Sequence, residues 1–81
     1  MSRVEDDSSL VAKALRGDRE AFASLVDRHV RPAFGVAYAF TGSAHDSEDI
    51  VQEAFLRADR SLAKLKHGNF GPWLGGIVRH L

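Results

Sequence analysis

The 81-residue sequence contains no cysteine, so it offers neither a disulfide framework nor a thiolate metal site. It has no long apolar run, and its first residues are polar and acidic, unlike a membrane span or a secretory signal. These absences suit a soluble protein, and we expect it in the cytoplasm. A large enclosed active site is also not expected, because one small domain buries only about 60% of the surface that its unfolded chain exposes.

The composition is that of an ordinary globular domain, with 44% hydrophobic and 27% charged residues. The formal net charge is zero, but the charges are unevenly distributed along the chain. Residues 1–53 hold ten acidic and six basic side chains, a net charge of −4, whereas residues 54–81 hold one acidic and five basic, a net charge of +4. Because a basic region attracts phosphate and an acidic one repels it, the two parts predict different partners.

Apolar residues recur every three or four positions and nowhere alternate, which predicts an all-α bundle of four helices. We expect a flexible lead-in over residues 1–7 and one domain over residues 8–81. The expected apolar faces of the first two helices are Leu10, Val11, Ala14 and Leu15, and then Phe22, Leu25, Val26, His29, Ala33, Phe34, Ala37 and Phe40.

Turn signals mark the ends of these helices. Ser8 or Ser9 is expected to cap the first helix, and Gly17 to end it with a positive φ. Asp18 is the expected cap of the second helix, which ends at Thr41-Gly42. Pro32 lies inside that helix and predicts either a kink or a break into two helices, because proline lacks the N–H and clashes with the preceding turn.

The segment HDSEDIVQEAFLRADRSLAKL, residues 45–65, is predicted to form one helix with Ser43 or Asp46 as its cap. Its expected core stripe is Val51, Phe55, Ala58, Leu62 and Leu65. Pro72 is expected in the first turn of a last helix, where its missing donor costs nothing. The apolar side of that helix is expected to be Phe70, Trp73, Leu74, Ile77 and Leu81.

The outer face of the third helix begins acidic and ends basic. Acids near the first turn and bases near the last turn stabilise a helix through its dipole, and Glu53 with Arg57 makes a favourable i,i+4 pair. The charges therefore have an explanation in the stability of the helix itself. Leu56 fits that explanation poorly, because a leucine within a charged stripe is better suited to a partner's groove.

Three segments together resemble one protein family. SEDIVQEAFLRADRSL, residues 47–62, resembles region 2.2 of the extracytoplasmic-function (ECF) group of sigma-70 factors, whose pattern is close to D-A-E-D-x-x-Q-E-x-F-x-R-x-W. GDREAFASLVDRHVRPAFGVAYAFTG, residues 17–42, resembles the first conserved helices of that family. FGPWLGGIVRHL, residues 70–81, resembles its F-x-P-W-L-x-x-I-A-R-N segment. The resemblance covers nearly the whole chain, in order and with plausible spacing.

This resemblance implies a transcription initiation factor domain that is not an enzyme, needs no cofactor or metal, and acts as a monomer away from membranes. It implies that the acidic helix binds the clamp coiled coil of the β′ subunit of the RNA polymerase core, through Asp46, Asp49, Gln52, Glu53 and Leu56. It also implies an anti-sigma factor as a regulatory partner that covers the same surfaces.

The resemblance further implies binding to the −10 element of promoter DNA, with a base of the non-template strand flipped into the loop of residues 66–70. The implied DNA contacts are Arg57, Arg60, Lys64, Lys66, His67, Asn69, Trp73, Arg79 and His80. The spacing of Trp73 equally fits a core anchor, and the basic residues equally fit a solvated surface.

The sequence departs from the family pattern at three places. Asp59 stands where the family has tryptophan, which puts an acid near the expected DNA side and weakens packing there. Gly75-Gly76 replaces larger residues in the last helix, which is therefore expected to fray or flex. The chain also stops before the second, −35-reading domain of family members, so it is expected to be the N-terminal domain alone.

Two other functions fit parts of the sequence. A metal-dependent hydrolase would use His45, Asp49 and Glu53, at positions i, i+4 and i+8, although no second helix offers matching ligands. A helical module bound by a regulator, without DNA contact, would share the fold. His29, on the inner side of the second helix, is expected to be a core or boundary histidine rather than a base.

Overall fold

The computed structural model describes residues 4–65 and 69–81, and this part of the chain forms four α-helices and no strand. Helix α1 spans Asp7–Leu15, α2 Arg19–Thr41, α3 Ala44–Ser61 and α4 Phe70–Arg79, and a 3₁₀ turn, Leu62–Lys64, follows α3. The predicted all-α fold with four helices is confirmed. None of these helices is both long and apolar enough to cross a membrane.

The start of α1 differs from the prediction. Asp6 is its N-cap, and its Oδ1 accepts a hydrogen bond of 2.8 Å from the backbone N–H of Ser9. Capping by Ser8 or Ser9 is therefore wrong, and α1 begins at Asp7, inside the segment predicted as a lead-in. A carboxylate caps as well as a hydroxyl and also gains from the helix dipole. The same bond lowers the pKa of Asp6.

The turns on either side of α2 follow the sequence signals. Gly17 and Gly42 both have positive φ, 96° and 64°, and Asp18 caps α2 by accepting a bond of 3.1 Å from Ala21 N–H. Of the two alternatives predicted at Pro32, the break into two helices is wrong, because α2 continues through the proline as one helix, and the kink stays a prediction. Proline lies on the exposed side of α2 while the next residue is buried, so packing holds the helix together across the missing hydrogen bond.

The corner between α2 and α3 is fixed by three hydroxyl groups. Ser43 is the cap of α3, as one of the two predictions had it, because its Oγ accepts from Asp46 N–H at 3.2 Å. The fully buried Ser47 hydroxyl donates to the Ser43 carbonyl at 2.7 Å and lies 2.8 Å from the Thr41 hydroxyl. This corner sets where the acidic first turn of α3 begins.

Helix α2 lies at the centre and packs against the other three helices. Buried apolar side chains come from all four helices and the 3₁₀ turn: Leu10, Val11, Ala14, Ala21, Phe22, Leu25, Ala33, Ala37, Val51, Ala54, Phe55, Ala58, Leu62, Phe70, Leu74 and Val78. Leu15, Phe40 and Leu81 were predicted to be inside but are exposed, at or just past the C-terminal ends of α1, α2 and α4. The single helix predicted over residues 45–65 is also wrong at its end, since α3 stops at Ser61.

His29 joins three helices. Its Nε2 lies 2.7 Å from Asp7 Oδ2 on α1, and its ring centroid lies 5.1 Å from that of the fully buried Phe70 on α4. Arg28 contacts the other oxygen of Asp7 at 3.2 Å. The side chain of His29 is 18% exposed and hydrogen-bonded, which confirms its interpretation as a boundary histidine.

Candidate functional site

The outer face of α3 presents the predicted polymerase contacts to solvent. We call this set the acidic stripe: Asp46, Asp49, Gln52, Glu53 and Leu56. The Asp49 side chain is 68% exposed and that of Glu53 is 44% exposed, while Leu56 is 51% exposed despite its apolar character. The stripe is accessible because Val51, Phe55 and Ala58 turn the opposite side of α3 into the core.

Part of the charge on this face is paired within the helix. Arg57 Nε donates to Glu53 Oε2 at 3.3 Å, so the predicted i,i+4 pair is present. A weaker contact joins His45 Nε2 and Asp49 Oδ2 at 3.8 Å. Exposed pairs of this kind contribute little to stability. These pairs do not involve Gln52 or Leu56, so the stability of the helix does not explain why these two side chains are exposed.

An apolar groove borders the acidic stripe on the side of α2. This α2 groove has a volume of about 450 Å³, and its lining includes Val26 and Val30 from α2 and Gln52 and Leu56 from α3. Val30 is 38% exposed, so it lies open together with Leu56. Val30 is not among the site residues predicted from the sequence. Its spacing of four from Val26 was the available signal, because it continues an apolar line along α2.

Asp59 is also part of the lining of the α2 groove. Arg19 donates to both of its carboxylate oxygens, at 3.0 and 2.8 Å, from the start of α2. These bonds lower the pKa of Asp59 and raise that of Arg19, and the charge of Arg60 also lowers the pKa of Asp59. Asp59 therefore faces α2 rather than α4. At the position where the family has tryptophan, Asp59 is thus held in an ion pair with Arg19.

A second groove lies on the other side of α3, between its C-terminal end and α4. This basic groove has a volume of about 520 Å³ and is lined by Arg57, Ser61, Lys64, Pro72, Trp73, Gly76, Ile77 and His80. Its floor is apolar and its charged lining is basic. Four predicted DNA contacts come together here, from α3, the 3₁₀ turn, α4 and the residue after it: Arg57, Lys64, Trp73 and His80.

Trp73 packs against the core and also reaches the surface. It is half-buried, with its ring centroid 5.9 Å from that of Phe70, yet it also lines the basic groove. Helix α4 runs unbroken through Gly75 and Gly76. A Cβ added at Gly76 would meet nothing within 4 Å, so this glycine leaves the groove open.

The other predicted DNA contacts lie outside the basic groove. Arg60 and Arg79 are exposed on α3 and α4 but do not line it. Asn69 is exposed at the start of α4, makes no side-chain cap bond, and lines a separate cleft beside α1. Lys66 and His67 lie outside the described residues.

The geometry does not support the hydrolase alternative. Among residues 4–65 and 69–81, no three histidine, aspartate or glutamate side chains lie close enough together to hold a metal ion. Glu53, one of the three proposed ligands, is bound instead to Arg57.

Residues 25–81 match the model of the Sigma-70 region 2 family, so the chain belongs to this family. The relatives below support its assignment to the ECF type.

Three relatives show how far the similarity extends. The ECF RNA polymerase sigma factor SigE of Mycolicibacterium smegmatis is 38% identical over 68 residues, covering 80% of this chain and 26% of SigE. The RNA polymerase sigma-H factor of Pseudomonas aeruginosa is 35% identical over 79 residues, covering 96% and 41%. The ECF RNA polymerase sigma factor SigW of Bacillus subtilis is 33% identical over 72 residues, covering 88% and 38%. The chain thus spans less than half the length of each.

Proposed function

We propose that this domain acts in transcription initiation, binding the RNA polymerase core through the acidic stripe and opened −10 promoter DNA through the basic groove. The observation that carries the proposal is the position of both surfaces on α3, with exposed carboxylates near its start and a cationic groove at its end. Membership of the Sigma-70 region 2 family supports a non-catalytic role of this kind. We expect the domain to act in the cytoplasm as a monomer.

The acidic stripe suits a basic helical partner such as the β′ clamp coiled coil. Its carboxylates would orient the partner and accelerate association, whereas Leu56 offers the apolar contact that can be fully desolvated. The α2 groove beside it extends that contact, because Val30 lies open on its opposite wall. An anti-sigma factor that covers Leu56 would exclude the polymerase, which is the regulation we expect.

The basic groove suits single-stranded DNA. Lys64 and Arg57 line the groove and can bind phosphates. The exposed part of Trp73 offers an aromatic face on which a base can stack. The groove is open to solvent, so an unpaired strand can enter it. A duplex would bind more weakly, because its bases are not available for stacking.

A charge reversal on the acidic stripe tests polymerase binding. We expect Asp49→Lys to abolish capture of purified core RNA polymerase while the helical circular dichroism signal stays unchanged, because Asp49 makes only a long contact with His45. Asp27→Lys is the matched control, since Asp27 is an exposed aspartate on α2. Equal capture by both variants and the wild type would remove the acidic stripe from the proposal.

A separate measurement tests DNA binding. We expect a fluorescein-labelled single-stranded oligonucleotide of randomised sequence to bind weakly and with a measurable salt dependence, and the corresponding duplex to show no detectable binding. Capture of the polymerase without any single-strand binding would instead support the alternative, a helical interaction module without DNA contact.

A further inference from the structure

His80 closes the end of α4 in a way that fixes which ring nitrogen carries hydrogen. Its Nδ1 lies 2.7 Å from the Gly76 carbonyl oxygen. A carbonyl only accepts hydrogen bonds, so Nδ1 must donate. The backbone N–H of His80, which in a longer helix would bond this carbonyl, donates to Ile77 O at 3.1 Å instead. The imidazole therefore satisfies a carbonyl that the helix end leaves unpaired.

The other ring nitrogen, Nε2, makes no hydrogen bond to any described residue. With the hydrogen held on Nδ1, a neutral His80 presents Nε2 as an acceptor, and a protonated His80 presents it as a donor with positive charge. His80 is exposed and lines the basic groove, so this change takes place where DNA is proposed to bind.

The acceptor of His80 differs from the charged groups around it, which are hydrogen-bond donors. Arg57 and Lys64 face it across the groove from the end of α3, and Arg79 precedes it on α4. All three only donate hydrogen bonds, no carboxylate of the described residues lines the groove, and the carboxylate of Glu53 is bound to Arg57. A neutral His80 thus adds an acceptor to a groove whose charged groups are all donors.

We propose that His80 is a specificity-determining residue of the basic groove, whose neutral imidazole accepts a hydrogen bond from the exocyclic amino group of adenine, cytosine or guanine, and so discriminates against thymine. These bases carry the amino groups that such an acceptor reads. Protonation removes the acceptor and adds a third cation for phosphate, so the groove gains affinity and loses this base preference. The inference rests on the proposed binding of single-stranded DNA.

Oligonucleotides that lack one amino group at a time test the proposal. Each adenine of a single-stranded oligonucleotide that binds the domain is replaced in turn by unsubstituted purine, each guanine by hypoxanthine and each cytosine by its analogue without the amino group, and affinity is measured at about pH 8 and pH 5.5. At the higher pH we expect one position to lose about twofold to tenfold, the range for one hydrogen bond. At the lower pH that loss should vanish and overall affinity should rise.

Two variants separate the acceptor from the charge. His80→Gln keeps an acceptor that does not titrate, so it should keep the base preference at both pH values. His80→Lys keeps a cation without an acceptor, so it should bind with no preference at either. His67 is present in all of these proteins, so any pH dependence that it contributes is common to them.

The outcomes are distinct from those of the proposed function. If the wild type binds no single-stranded oligonucleotide, the proposed DNA binding itself fails. If it binds, but no amino group matters at pH 8, or the preference survives in His80→Lys, the assignment of His80 as the reading residue is overturned.

Discussion

Removal of the Lys64 charge is the most direct test of the basic groove. Lys64 lies in the 3₁₀ turn at the end of α3 and lines the groove. Within the described part of the chain it has no carboxylate partner, whereas Arg57 is bound to Glu53. Lys64→Gln therefore removes one cation from the groove without breaking an ion pair, and the exposed position makes a change in folding stability small.

The expected magnitude follows from the number of cations in the groove. Each phosphate neutralised on a single strand contributes about −0.7 to the slope of log affinity against log salt concentration. If Arg57 and Lys64 each neutralise one phosphate, the slope is about −1.4, and affinity falls roughly sevenfold between about 50 and 200 mM salt. Without Lys64 the slope should be about −0.7, and the same change of salt should lower affinity only about threefold.

Fluorescence anisotropy of a labelled single-stranded oligonucleotide across this salt range measures both slopes. Lys13→Gln is the matched control, because Lys13 lies on α1, which contributes nothing to the lining of the basic groove. The control should keep the wild-type slope. A Lys64→Gln protein with an unchanged slope would refute the reasoning, since its charge would then contact no phosphate.

Three further changes test other parts of the structure. Asp59→Asn should lower Tm by about 2–4 °C at pH 7, because it removes the ion pair with Arg19. Since the pKa of Asp59 is lowered in the folded protein, the Tm difference between variant and wild type should disappear as the pH falls through that pKa. An equal Tm difference at about pH 2 would contradict the ion pair. Gly76→Leu should raise Tm in thermal melts, because leucine has a higher helix propensity than glycine. It should also weaken single-strand binding, because the added side chain fills the basic groove, and unchanged binding would place the strand elsewhere. Glu53→Gln should raise single-strand affinity about twofold in anisotropy titrations by releasing Arg57, more than Asp49→Asn does.

Local signals in the sequence predicted much of the fold. Gly17, Gly42 and Asp18 mark helix ends through backbone conformation or side-chain capping, which depend only on near neighbours. The wrong cap of α1 arose from a run of adjacent candidates, Asp6 among them, whose capping energies differ little. Exposure of Phe40 could not be predicted from periodicity, because a helical pattern does not show where the neighbouring helix ends.

Of the two candidate surfaces, only the acidic stripe could be predicted from the sequence, because it lies on a single helix. The buried side of α3 fixes its outer face, so periodicity alone exposed the acidic stripe. The basic groove depends on how α3 and α4 lie against each other and on the missing side chain of Gly76. Asp59 finds its partner Arg19 forty residues earlier in the chain, at a separation that no local pattern shows.

The two charges of α3 can serve two partners because of their separation. Asp49 precedes Arg57 by eight residues, about 12 Å along a helix, which exceeds the screening length of about 8 Å at physiological salt. A phosphate in the basic groove is therefore little repelled by Asp49, and still less by Asp46. Glu53 is the exception, since it contacts Arg57 directly. A cationic partner that takes Glu53 would free Arg57 for phosphate, so binding at the stripe should favour binding in the groove rather than oppose it.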